Sequence, residues 1–347
     1  MKLLQPKLPI LALIISLLGI TSCLSVTVNN SSGANPTRLV SKLSAFATGW
    51  IYSLAWAPDN VTLAVGYREG KLRLWDTLSK NIQTEFQGYT GSVNQVAWSP
   101  SGKYLATGSQ EISDTVRIWN VNTHQVLFHA TPAANTLISG LAWSPDNKKL
   151  VVGLESNSET NRLDGILIYD PFGPQTPIIT KEASPVTTVA WEPNGMVFAF
   201  GLSPLSGQPG TIKLGKISAK EPRLEITNEL LGHSSRINNI GWSPDTKLIA
   251  SVSDDETVKL WNASNGQEVA TFNYGNDPKS IAWSPDSKRL AVGGWAEPTI
   301  KVWDVSTRQL SITLDDPDSV NTIAWSPDGT HLASGDLSGI VWIWDVK

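Results

Sequence analysis

Few side chains in this sequence have both the type and the spacing that chemistry needs. There are four histidines. His124 and His129 lie five apart, one in a predicted turn and one along the strand after it. Neither has an acidic or cysteine partner close by, so they do not read as a metal pair. His331 follows a turn. Asp315, Asp316 and Asp318 lack the alternating ligands and closing glutamate of a calcium loop and are expected as a solvated acidic turn, as are Asp254, Asp255 and Glu256. No phosphate-cradling glycine loop, nucleophile-elbow serine or HExxH pair occurs. The residues therefore name no catalytic set, no metal and no cofactor, and the chain is expected not to be an enzyme. A site assembled from loops distant in sequence stays open. The formal charge of −4 gives no basic footprint for nucleic acid.

The one cysteine, Cys23, follows Lys2, Lys7 and an apolar run from Leu8 to Ile20. That run is shorter than the ~20 residues of a spanning helix and fits the core of a secretory signal. Ile20-Thr21-Ser22-Cys23 resembles the lipobox of bacterial lipoproteins. The resemblance implies cleavage before Cys23, acylation of it, and membrane anchorage through more than one chain, the number stable anchoring requires. With Leu24 rather than aspartate next, it implies the outer membrane of a two-membrane bacterium, or otherwise the outer face of the plasma membrane. Residues 1–22 are thus expected as a signal peptide and 23–37 as the lipidated cysteine with an uncharged Ser/Asn/Thr-rich tether. A flexible tether of that length spans about 20 Å.

The elements that must position any function repeat. AWAPD (55–59), AWSPSG (97–102), AWSPD (142–146), AWEPNG (190–195), GWSPD (241–245), AWSPD (282–286) and AWSPDG (324–329) place their tryptophans 42, 45, 48, 51, 41 and 42 residues apart. A second phrase trails each: LRLWD, VRIWN, ILIYD, IKLGK, VKLWN, IKVWD and VWIWD. In the fourth unit, Leu214 is read at the tryptophan position. The pieces alternate apolar with polar or small residues, the period of half-buried strands, with turn residues between them.

The unit GHSSRINNIGWSPDTKLIASVSDDETVKLWN (232–262) resembles the WD40-repeat family, and the likeness runs over residues 38–347. It implies an all-β, seven-bladed β-propeller whose last blade is completed by an N-terminal strand within 38–46. It also implies a buried network of His233, Ser251 or Ser253, Asp255 and Trp261, with Tyr89 and Tyr274 at the histidine position of other units.

Function is expected where repetition fails. Longer connections at 155–165 and 203–210, with smaller ones at 110–114 and 294–298, would open on the face that carries Trp50, Tyr89, Tyr274 and Trp295. Those aromatics, with Arg68 and Arg162 nearby, are the candidate contacts for an unidentified protein partner. The leading expectation is a non-enzymatic interaction platform on the bacterial cell envelope. The alternative is a propeller that binds a small ligand or sugar, or performs an enzymatic step, in its central channel, since AWSPDG also resembles the repeats of TolB-like periplasmic propellers.

Overall fold

The structure, a computed structural model, describes residues 38–347 except 45–48, 111–114, 133–135, 157–162, 175, 196, 204–207, 219–220 and 222. The expected signal, Cys23 and its tether, and also Arg162, lie outside the described residues. Seven four-stranded antiparallel sheets form seven blades, and there is no helix among the described residues. Blades 1 to 6 occupy 51–86, 93–130, 136–181, 186–233, 237–273 and 278–315. Blade 7 takes three strands from 320–345 and its outermost strand, Leu39–Leu43, from the other end of the chain. That strand pairs antiparallel with Val341–Asp345, Leu43 facing Val341, so the ring closes as the sequence implied. The first strand of each blade neighbours the first strands on either side, and these seven surround the central channel.

The repeated phrase is explained letter by letter. Its tryptophan ends the inner strand and reaches the preceding blade. The indole N–H groups of Trp98, Trp143, Trp242 and Trp283 donate to the carbonyls of Ala55, Ala97, Ala190 and Gly241 at 3.0–3.2 Å. Trp56 donates to Ala324 O at 3.1 Å and so joins blade 1 to blade 7. The serine after it is buried and its hydroxyl accepts the N–H five residues on, as Ser243 does from Leu248 at 2.9 Å. The same hydroxyl donates to the following aspartate, Ser243 to Asp245 at 2.7 Å. The aspartate closes an Asx turn by accepting the N–H of Lys247. Four residues past each tryptophan the backbone is left-handed in all seven blades: Asn60, Gly102, Asn147, Gly195, Thr246, Ser287 and Gly329. That requirement is why Asn and Gly dominate the position, and a β-branched residue there is strained.

A second regularity is hidden in the inner strands. Four residues before each tryptophan, the pairing between first and second strands slips by one, a β-bulge repeated in every blade. The bulged residues are Tyr52, Asn94, Ser139, Thr187, Asn238, Lys279 and Asn321.

Candidate functional site

Two groups of polar and aromatic residues stand out, one sealed inside the blades and one around the mouth of the channel. In blade 5 a chain of hydrogen bonds crosses the sheet. Trp261 Nε1 donates to Ser251 Oγ at 2.8 Å, and Ser251 and His233 Nε2 lie 2.7 Å apart. His233 Nδ1 lies 2.8 Å from Asp255 Oδ2. Because the carboxylate can only accept, Nδ1 carries the proton and Nε2 accepts from the serine. Ser253 is outside this chain and instead accepts the N–H of Asp255. Burial works to raise the Asp255 carboxyl, but hydrogen bonds from His233, Thr257 and the Ser234 N–H outweigh it and hold the group well below the ordinary carboxylate range.

Other blades meet the same need with different residues. Tyr89 occupies the histidine position of blade 2, and its hydroxyl accepts from Trp119 Nε1 at 2.7 Å. In blade 1 Trp75 donates to Tyr67 across the sheet at 3.1 Å. Tyr274 is 1 % exposed and donates to Thr299 O at 2.9 Å. Tyr89 and Tyr274 were expected as candidate partner contacts. Both occupy the histidine position also read for them in the sequence: Tyr274 lies in the core and not on the partner face, and the Tyr89 hydroxyl is turned into its blade while its half-buried ring packs 4.3 Å beneath Arg117.

Asp316 is a second correction. Rather than lying in a solvated turn it is 4 % exposed, at the histidine position of blade 7. It accepts from Ser334 at 2.6 Å, which in turn accepts from Trp344 at 2.9 Å. Burial, opposed by the Ser334 hydroxyl and reinforced by the nearby buried Asp336, pushes its carboxyl up to about 7. A third correction concerns blade 4: pairing sets Gly215, not Leu214, opposite Phe198, where the other blades carry the aromatic. The space is taken by Leu224, whose Cδ1 would lie 2.5 Å from a Cβ added at Gly215.

The open face is built from loops that hold one another. In blades 1, 2, 4, 5 and 6 the residue after the second strand bonds the loop before the first, as Arg68 N–H does to Trp50 O, Asp254 to Arg236 and Trp295 to Asp277. Trp50, Arg68 and Trp295 are therefore on one face. Arg68 lies 4.7 Å over the Trp50 ring, which meets Tyr52 edge-on at 6.3 Å. Trp295 is 38 % exposed, with Lys279 at 4.8 Å over its ring. Its Nε1 donates to Asn321 Oδ1 at 2.8 Å, and Asn321 donates onward to Ile51 O at 2.7 Å. Trp295, Asn321, Tyr52, Trp50 and Arg68 thus form one arc across blades 6, 7 and 1, bound together rather than scattered.

The bulged residues form the inner rim of this arc. Asn238 and Asn321 each donate to the start of the next blade's inner strand, to Pro278 O and Ile51 O, and Asn94 does so to Ile138 O. Tyr52 and Lys279 break that asparagine pattern where the exposed aromatics gather. The sequence reading missed Tyr52, Asn321 and Lys279. The signal was present as the asparagine four residues before the phrase tryptophan in VNQVAW, INNIGW and VNTIAW, against IYSLAW and PKSIAW. Charges at the rim are internally paired. Arg236 grips Glu155 through two bonds of 2.7 Å, and Lys279 lies 2.6 Å from Asp277 and 3.4 Å from Asp254. Among the described residues no group of three or more His, Cys, Asp or Glu could hold a metal ion.

A family model described as WD domain, G-beta repeat matches residues 37–76, 80–120, 224–262, 266–304 and 308–345, together more than half of the chain. Each match begins with the outermost strand of one blade and ends with the third strand of the next, so every sequence repeat spans two blades. The unmatched stretch holds the third strands of blades 3 and 4, where Tyr169 and Gly215 replace the tryptophan. The chain is 27 % identical over 226 residues to periodic tryptophan protein 2 of Arabidopsis thaliana, covering 64 % of this chain and 23 % of that protein. It is 25 % identical to WD repeat-containing protein 1 of Mus musculus over 230 residues, 64 % of this chain and 35 % of that one. It is 24 % identical to the SIR4-interacting protein SIF2 of Saccharomyces cerevisiae over 254 residues, 73 % and 38 %. The chain spans between about a quarter and two fifths of the length of these relatives.

Proposed function

The chain belongs to the WD domain, G-beta repeat family, and from that membership we propose that it is a non-catalytic platform that binds a protein partner on the loop-bearing face of its ring. The observation that carries this reading is the arc from Trp295 to Arg68. Large aromatics backed by arginine or lysine are the usual anchors of protein interfaces, and here they are held in place by hydrogen bonds. Among the described residues, the histidine, serine and aspartate of blade 5 and the Asp316–Ser334 pair of blade 7 are engaged in hydrogen bonds within their blades. The name of the yeast relative records an interaction with another protein, which agrees with such a role. The finer part of the proposal is the setting. An apolar leader followed by Ile20-Thr21-Ser22-Cys23 supports a lipid anchor on Cys23 and display of the ring on a bacterial envelope.

Two experiments test these parts separately. Crosslinking capture with the full chain should enrich a protein that is lost when Trp50 and Trp295 are both replaced by Ala, with melting unchanged. Equal capture by both forms contradicts the assigned face. Cys23→Ala should move the protein from membrane to soluble fractions, and unaltered membrane retention removes the anchor.

A further inference from the structure

On the face made by the phrase turns, what covers a phrase tryptophan depends on the residue six positions after the tryptophan of the preceding blade. Between blades 6 and 7 that residue is Arg289, whose guanidinium lies 4.9 Å over the Trp325 ring and donates to Val346 O. Between blades 2 and 3 it is Tyr104, which with Phe172 covers Trp143, the three ring centroids 4.7–6.4 Å apart. Trp325 and Trp143 are accordingly 7 % and 6 % exposed. Between blades 1 and 2 the residue is Thr62, too short to reach across. A groove of about 630 Å³ stays open there, with Trp98 partly exposed on its wall. That volume is within the range of about 300–1,000 Å³ that small-ligand sites occupy.

The groove repeats the surroundings of Arg289 without the arginine. Asp59 stands where Asp286 stands in blade 6, three residues past the tryptophan, and Val121 stands where Val346 does. The other phrase aspartates, Asp146, Asp245, Asp286 and Asp328, each have a basic side chain within three residues whose charge favours the carboxylate: Lys148, Lys247, Lys288 with Arg289, and His331. Asp59 is followed by Val61 and Thr62, and the charge acting on it is the like charge of Asp76. Burial works to raise its carboxyl, but hydrogen bonds from Thr62 and the Val61 N–H outweigh it, so the group is ionised at neutral pH. Among the described residues lining the groove there is no lysine or arginine. The other open groove, about 520 Å³ between blades 4 and 5, lacks this bias: Asn194 holds the aspartate position, and Glu192 and Lys216 both line the wall. A planar cation meets both features of the first groove, its face stacking on the indole and its edge donating to the carboxylate. We propose that the groove between blades 1 and 2 binds a small guanidinium compound, stacked on Trp98 with its N–H groups directed to Asp59. The site lies on the face opposite the aromatic arc and does not depend on the partner reading.

NMR of the indole N–H groups of the full chain tests the site, with the Trp98 signal assigned through Trp98→Phe. The probe is L-arginine, and the comparators are L-citrulline, of the same shape without the charge, and L-lysine, charged but not planar. Arginine should shift the Trp98 signal saturably with a Kd of about 1 mM or tighter, and both comparators should bind at least about fivefold more weakly. Asp59→Asn keeps an oxygen for the turn while removing the charge, and it should weaken arginine binding about tenfold. Thr62→Arg supplies a guanidinium from the chain itself, as Arg289 does between blades 6 and 7, and should abolish the response. No saturable shift of Trp98 with arginine overturns the proposal. So does binding of citrulline or lysine equal to that of arginine, or an Asp59→Asn form that binds arginine as the parent does with its melting unchanged.

Discussion

At the scale of single residues, the same position does different work in different blades, and each substitution has its own energetic consequence. Removing His233 strands two buried partners at once, Ser251 and the ionised Asp255. His233→Ala should therefore cost about 2–3 kcal/mol in urea unfolding, and a loss no larger than that of an exposed substitution would contradict the network. Asp316, at the equivalent place in blade 7, behaves in the opposite sense with pH. Its folded carboxyl titrates near 7, against 3.8 ordinarily, so between those values the folded state holds a proton that the unfolded state has released. Stability from this group is full below about pH 4 and is lost as pH rises to 7 and beyond, a term on the order of 4 kcal/mol. Asp255 contributes the reverse: stability present above its ordinary value and lost in acid. Asp316→Asn should then raise the Tm at pH 8 by several degrees and give little gain at pH 4. An identical shift at both would show that Asp316 does not carry the proton. Thr246 is the β-branched residue at the left-handed turn position, so Thr246→Gly should stabilise by about 1 kcal/mol in the same unfolding measurement.

At the scale of elements, the strand Leu39–Leu43 decides whether the ring is one cooperative unit. It covers the edge of blade 7 and buries Leu43 against a cluster that includes Ile51, Tyr67 and Ile343. Without it the Val341–Asp345 strand becomes an open edge with unpaired backbone groups. Deleting 38–44 should lower the melting temperature of the whole propeller, and a synthetic peptide of those residues should partly restore it. Unchanged melting would contradict closure by this strand. The elements were the part most legible in the sequence, because a turn that must be left-handed and a tryptophan that must reach the previous blade leave a fixed phrase. What stayed hidden came from register and burial, which a phrase does not record. Asp316 looked solvated beside Asp315 and Asp318, and Tyr274 looked like a loop aromatic. Both sit nine residues before a phrase tryptophan, the slot His233 fills; the sequence already placed Tyr274 there, and the fold adds that Asp316 fills it in blade 7 and that both side chains are buried. The bulge that turns Tyr52 and Lys279 to the rim lies within an otherwise regular strand pattern, so its register slip had no signature beyond the recurring asparagine.

At the scale of the whole molecule, seven blades, linked by five matched repeats that each span two of them, close into one ring, and repetition itself does not carry recognition. The two faces differ in kind. One is made of tight phrase turns and Asx-closed loops that recur around the ring. The other gathers the departures: Trp50, Tyr52, Arg68, Lys279 and Trp295 on adjoining blades. The most direct measurement of this asymmetry is site-specific photo-crosslinking of the full chain in its native setting. A photoreactive residue is placed at 295 in one form and, as the opposite-face control, at Leu78, which is 76 % exposed. The account predicts a discrete crosslinked protein from position 295 and none from position 78. Crosslinks to the same protein from 78 alone, or equally from both, would contradict it.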